Sequence, residues 1–264
     1  MMESLHRVCV MQDTLPEVPE LYSDVFVAGD EYEERAFAQL FVRTRSRRAR
    51  TLDEADYVIF TGGPDVNPSL YGHNRNAKTR IDNPRDSRDM KIFQECLDKG
   101  IPMIGICRGA QFLHVMHGGT LYQDVDNHNS PHMMYDCVNK TTITKISSVH
   151  HQMIKPPLNN PDFHVIGYIA NRSNRREEGP GVVSTGFNRD IEAFEYLSTA
   201  TFGVQGHPEY AGFPEYSAWF LNMVQHVLLH NPNVGYADTK VLRLKPEFLA
   251  AQKALRAAKK KGSN

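Results

Sequence analysis

The sequence predicts an α/β protein with a mostly parallel central sheet flanked by helices on both faces. Three observations carry that reading: short, wholly apolar runs that end in glycine turns, amphipathic stretches of helical period between them, and the alternation of the two through the first half of the chain. Length and composition agree. At 264 residues, with 41% hydrophobic and 23% charged residues, the chain is long enough for one substantial core, and its composition is that of an ordinary globular protein. It reads as a single domain over 1–264 with a basic C-terminal extension at about 240–264.

In chain order, HRVCVM (6–11) reads as a first strand, and DEYEERAFAQLFV (30–42) as a helix whose acidic first turn suits the positive end of the helix dipole. YVIFTGG (57–63) is a buried strand running into a glycine turn. SRDMKIFQECLDKG (87–100) is an amphipathic helix closed by Gly100, PMIGIC (102–107) a fully apolar strand, and RGAQFLHVMHGG (108–119) a second helix stopped by glycine. KTTITKIS (140–147), FHVIGYIA (163–170), IEAFEYL (191–197) and ATFGVQ (200–205) have strand character. PEYSAWFLNMVQHVLLHN (214–231) reads as a closing helix that lays Trp219, Phe220, Met223, Val224, Val227 and Leu228 on the sheet. NRSNRREEGPGVVSTG (171–186) is expected to be an exposed, mobile insert.

A net charge of −1 provides no field to gather nucleic acid or anionic lipid, so partners must be recognised locally. VRTRSRRAR (42–50) and KALRAAKKKGSN (253–264) break the balance, but without interleaved aromatic residues they read as solvated face and tail. No secretory leader or apolar span is evident, and Cys9, Cys96, Cys107 and Cys137 are scattered without a CxxC pair. Reduced thiols in a cytoplasmic protein are the expectation, with no disulfide framework or zinc knuckle.

The chemistry centres on GICRGAQF. A cysteine on a tight strand-to-helix turn projects clear of the sheet, and Gly105 and Gly109, two residues to either side of Cys107, remove side chains that would clash there. The following helix aims its N-terminal N–H groups at the sulfur, which favours thiolate and can hold an oxyanion. A buried apolar cysteine ending a strand is the competing reading. In TFGVQGHPEY, His207 follows a strand and Glu209 lies two residues on, across a proline, so imidazole and carboxylate can converge on Cys107. Paired glycines in TGGPDVNPSLYG leave N–H groups open to an approaching oxygen.

Taken in order, GGPDVNPSLYG, GICRGAQFLHVMHGGTLYQDV, SVHHQ and FGVQGHPE closely resemble the class I glutamine amidotransferase-like family. Within it they resemble the γ-glutamyl hydrolase and γ-glutamyl-GABA hydrolase branch, peptidase C26, over about residues 57–228. The resemblance implies a flavodoxin-like sandwich with Cys107 as nucleophile, His207 as base and Glu209 as its orienting acid. It further implies an oxyanion hole from the amides of Gly63 and Arg108, and a glutamyl pocket lined by Gln111, His151 and Gln152. One departure concerns Gly206: the family carries a bulky aromatic just before this histidine, so glycine is expected to widen the rim of the site.

The function these motifs imply is cysteine-dependent hydrolysis of a γ-glutamyl amide, glutamine or a γ-glutamyl amine, through a γ-glutamyl thioester. Glutamate and ammonia or an amine are released without a cofactor. A glutaminase component feeding ammonia to a separate synthetase or amidoligase is the alternative, with the basic tail and open Gly206 rim as docking features. A catalytically inactive binding protein on the same scaffold is a third. His114 and His117, three apart on a helix, together with His128 and His132 invite a metal, but the sequence fixes no carboxylate or cysteine partner for them, and none is assigned.

Overall fold

The computed structural model describes residues 23–29, 38, 44, 46–185 and 189–229. The strand expected at 6–11, the helix at 30–42 apart from residue 38, Cys9 and the basic extension lie outside the described residues. The chain builds β1 (Asp24–Ala28), β2 (Arg47–Arg48) and β3 (Tyr57–Phe60), followed by α1 (Asn83–Lys99), β4 (Met103–Ile106) and α2 (Arg108–Met116). Five strands follow: β5 (Thr120–Tyr122), β6 (Asp124–Val125), β7 (His132–Asp136), β8 (Thr141–Ile146) and β9 (Met153–Lys155). The described chain closes with β10 (Phe163–Ala170), β11 (Arg176–Gly179), β12 (Val182–Ser184), β13 (Arg189–Tyr196), β14 (Thr201–Val204) and α3 (Pro214–Leu229).

Nine strands form one sheet in the order β2-β1-β3-β4-β14-β13-β10-β7-β8. The five from β2 to β14 run parallel, and the remaining four pair antiparallel. The α/β class therefore holds, with the parallel half carrying the strand ends at which ligands of open α/β sheets bind. Alternation along the strands divides the core. Tyr57 and Ile59 of β3 face one layer with Trp219, Phe220, Met223, Val224 and Val227 of α3. Val58 and Phe60 face the other, with Phe93 and Cys96 of α1 and Phe112 and Leu113 of α2. Helices thus cover both faces.

Local chemistry sets the boundaries. α1 starts four residues earlier than the hydrophobic period suggests, because the Asp82 side chain caps it by accepting from the Arg85 amide at 3.1 Å. Gly100 ends it in the left-handed region, at φ 61°. The stretch 171–186 is not a mobile insert over its described part: β11 and β12 pair with each other, and β11 pairs with β6, in a small three-stranded sheet. Arg176, in that stretch, is buried and ion-paired with Asp190. A buried partner on β13 orders what composition alone marks as loop.

Candidate functional site

Cys107 sits between β4 and α2 with φ 51° and ψ −112°, a conformation that L-residues rarely adopt and that recurs at strained functional turns. Two glycines make the turn feasible. A Cβ on Gly105 would lie 2.6 Å from the Ala110 backbone, and one on Gly109 would lie 2.0 Å from the Phe60 carbonyl. The close approach of helix to sheet therefore requires glycine at both places. The Cys107 amide donates to the Val204 carbonyl at 2.8 Å, tying the elbow to β14. Arg108 opens α2, so its amide has no intrahelical acceptor.

The Arg108 side chain turns away into a buried network. It pairs with Asp86 and Asp89 of α1, and Asp89 also accepts from Arg85 Nε at 2.8 Å. Arg85 Nη2 donates onward to the Ala28 carbonyl at 3.1 Å. The network fixes α2 against α1 and β1, and with it the elbow.

His207 and Glu209 follow β14 and are buried beside Cys107. His207 Nδ1 lies 2.7 Å from Glu209 Oε1, so the carboxylate fixes the tautomer and leaves Nε2 to face the thiol. The Ser147 hydroxyl pins the histidine backbone, accepting from its amide at 2.5 Å and donating to its carbonyl at 3.0 Å. Tyr210 stacks on the ring with centroids 4.5 Å apart. Burial pulls the imidazole pKa down, but the Cys107 charge, the hydrogen bond to Cys107 and Glu209 together outweigh it and hold His207 well above its ordinary value.

Cys107 opens on a cavity of ≈ 750 Å³ that Gly63, Arg108, Gln111, His151 and Gln152 also line. The expected oxyanion and pocket residues are thus brought to one place. Gln111 Nε2 donates to the Gln152 carbonyl at 3.1 Å, and His151 Nε2 lies 3.0 Å from Asp65 Oδ2. The hydrogen bond to Asp65 is the main reason the His151 pKa is raised. Asp65, Lys78, Arg80 and Asp124 line the same cavity and were missed by sequence reasoning. Of these, Asp65 and Asp124 carried a signal, inside GGPDVNP and GGTLYQDV. The others reach the cavity through turns whose direction is not written locally.

The expected open rim at Gly206 is a correction. Gly206 is buried, and a Cβ there would lie 2.6 Å from the Ser147 carbonyl and 2.9 Å from the Tyr216 hydroxyl. Tyr216, a buried residue of α3, packs its ring into the space beside it. The glycine serves close packing rather than access.

The four histidines raised as metal candidates separate into two groups. His114 bonds Tyr196 and the Lys155 carbonyl, and His117 bonds Thr199 and the Leu113 carbonyl, so both rings have their nitrogens satisfied. His128 and His132 instead converge on Glu192.

A cysteine on a strained elbow, backed by a carboxylate-held histidine on a mixed α/β sheet, defines a class of nucleophilic enzymes. The model of the Peptidase C26 family matches residues 39–209, and the chain belongs to that family. The glutamine amidotransferase-like protein YvdE of Lactococcus lactis is 31% identical over 172 residues, 58% of this chain and 66% of the relative. NtpR of Enterococcus hirae is 28% identical over 166 residues, 60% of this chain and 68% of its own. The γ-glutamyl-γ-aminobutyrate hydrolase PuuD of Escherichia coli is 38% identical over only 73 residues, 27% of this chain and 28% of its own. Among solved structures, a glutamine amidotransferase from Thermotoga maritima superposes with TM-score 0.50 at 15% identity, covering 90% of this chain and 94% of that one, which supports the fold alone.

Proposed function

We propose that this protein hydrolyses γ-glutamyl amides by covalent catalysis at Cys107. The observation that carries the reading is the pairing at the elbow: His207, held by Glu209 at 2.7 Å, is coupled electrostatically to a cysteine strained to φ 51° in the lining of the cavity. The Cys107 thiolate attacks the δ-carbonyl of the γ-glutamyl group, and the oxyanion forms against the amides of Gly63 and Arg108. The His207 imidazolium gives its proton to the leaving amine as the C–N bond breaks, leaving a γ-glutamyl thioester. Neutral His207 then takes a proton from water, whose hydroxide attacks the thioester. Glutamate leaves, and the thiolate–imidazolium pair is restored.

Charges of both signs, from Lys78, Arg80, Asp65 and Asp124, line the cavity and suit the α-ammonium and α-carboxylate of a glutamyl group. The alternative role as ammonia donor to a separate synthetase loses one support, because Gly206 is filled by Tyr216 and provides no docking rim.

The test is a panel of γ-glutamyl compounds, glutamine included, incubated with the purified chain and read by glutamate release. Release is expected with at least one member, is abolished in Cys107→Ala, and needs no second protein. Labelling by a glutamine-like electrophile is expected at Cys107 and at neither Cys96 nor Cys137, whose thiols burial pushes up to about 12 and about 11. Undiminished release by Cys107→Ala would overturn the proposal.

A further inference from the structure

Behind the cavity, three histidines from separate segments surround one carboxylate. His132 Nε2 lies 2.8 Å from Glu192 Oε1, His128 Nδ1 lies 3.3 Å from the same oxygen, and His150 Nε2 lies 3.8 Å from Glu192 Oε2. All four side chains are buried, with relative exposures of 0–2%.

The outer nitrogen of each ring decides what the inner one presents. His132 Nδ1 faces the Ser130 carbonyl at 3.2 Å, His150 Nδ1 faces the Gln152 carbonyl at 2.9 Å, and His128 Nε2 faces Asp190 Oδ2 at 3.1 Å. Carbonyls and carboxylates only accept, so the outer nitrogens of His128 and His132 carry the N–H, whereas His150 Nδ1 also faces the Gln205 Nε2 donor at 3.2 Å. Neutral His128 and His132 therefore turn a lone pair inward. His128 Nδ1, His150 Nε2 and Glu192 Oε2 make no hydrogen bond, although each is fully enclosed. With His128 and His132 so oriented, their inner nitrogens meet the Glu192 carboxylate acceptor to acceptor, an arrangement that costs stability unless a proton or a metal ion sits between them.

Protons can serve in part, because burial is outweighed by Asp190 and Glu192, which raise the His128 pKa to about 9, but supplying His132 as well places two charged rings against one buried carboxylate. A single divalent ion satisfies His128, His132 and Glu192 at once, since their ligand atoms all lie within 4.8 Å of one another. At Zn–N distances of about 2.0–2.1 Å, tetrahedral ligands stand about 3.3 Å apart, and the His128 and His132 nitrogens lie 3.3 and 2.8 Å from Glu192 Oε1. The outer acceptors match the supports that metal-bound histidines require, each donating its second N–H to a carbonyl or carboxylate. Asp190 is itself held by Arg176 and by the Ser173 amide at 2.7 Å.

The geometry points to a structural divalent-metal site of the zinc class, with ligands His128 Nδ1, His132 Nε2 and Glu192. All three ligands are buried and none lines the Cys107 cavity, so the ion is a staple rather than a catalyst. It ties β13 to β7 and to the segment before β7. The site is independent of the hydrolytic reading, since neither Cys107 nor His207 is a ligand.

The test is elemental analysis of the full chain purified from zinc-supplemented culture and dialysed against metal-free buffer. About one equivalent of zinc per chain is expected, unchanged in Cys107→Ser and at least tenfold lower in His132→Ala. Should His132→Ala fail to fold, the wild-type chain stripped by chelator provides the second measurement. Co²⁺ is then expected to give the visible d–d bands of a tetrahedral nitrogen–oxygen site without thiolate charge transfer, and Zn²⁺ to raise the Tm by several degrees. A chain that retains no zinc and whose Tm neither ion moves overturns the site and leaves the rings to protons. Zinc lost in Cys107→Ser but kept in His132→Ala overturns it equally, by moving the ion to the nucleophile.

Discussion

At the residue scale, Glu209 and Gly206 separate orientation from packing. Glu209 Oε1 accepts from His207 Nδ1 but lies outside the cavity lining. Glu209→Gln keeps an acceptor oxygen and removes the charge, so kcat is expected to fall on the order of 10²-fold with KM nearly unchanged, as steady-state kinetics would show. Gly206→Ala forces a Cβ against the Ser147 carbonyl, which belongs to the residue whose hydroxyl pins His207. A loss of roughly 1–3 kcal/mol is expected from this overpacking, measurable by chemical denaturation, together with a fall in kcat. The elbow was legible because its requirements are local: two glycines flank Cys107 within four residues of chain. The meaning of Gly206 was not, since the Tyr216 ring that fills its space comes from a different element.

At the element scale, β13 carries a burial cost that titrates. Burial, and to a smaller extent the charge of Asp162, raise the Glu195 carboxyl to about 8, and its Oε2 has no hydrogen-bond partner. Between about pH 4.5 and pH 8 the folded chain holds a proton that the unfolded chain has lost. Stability therefore falls as pH rises through that window, by at most about 1.4 kcal/mol per pH unit. Glu195→Gln is expected to flatten this slope, seen as the difference between the two proteins' denaturation midpoints across the pH series. Period and apolar runs foretold β3, β4, β8, β10, β13, β14 and the α-helices α1, α2 and α3. They did not foretell β11 and β12, because strands such as REEG read as loop until Arg176 finds Asp190. His128 and His132 were singled out without a carboxylate for the same reason: Glu192 and His150 reach them only through the folded sheet.

At the scale of the whole molecule, one nine-stranded sheet runs from β2 to β8, and a segment of the site follows each of its strands β3, β4, β8 and β14. The β3 turn brings Gly63, the β4–α2 elbow brings Cys107, the segment before β9 brings His151, and the residues after β14 bring His207. Covalent catalysis by this assembly requires a γ-glutamyl group on Cys107 during turnover. The most direct measurement is acid quenching of the purified chain in steady state with its best γ-glutamyl substrate, followed by intact mass and peptide mapping. The account predicts a single γ-glutamyl adduct on Cys107 that disappears as glutamate release completes and never forms in Cys107→Ala. Sustained glutamate release without any adduct, persisting at full rate in Cys107→Ala, would contradict it.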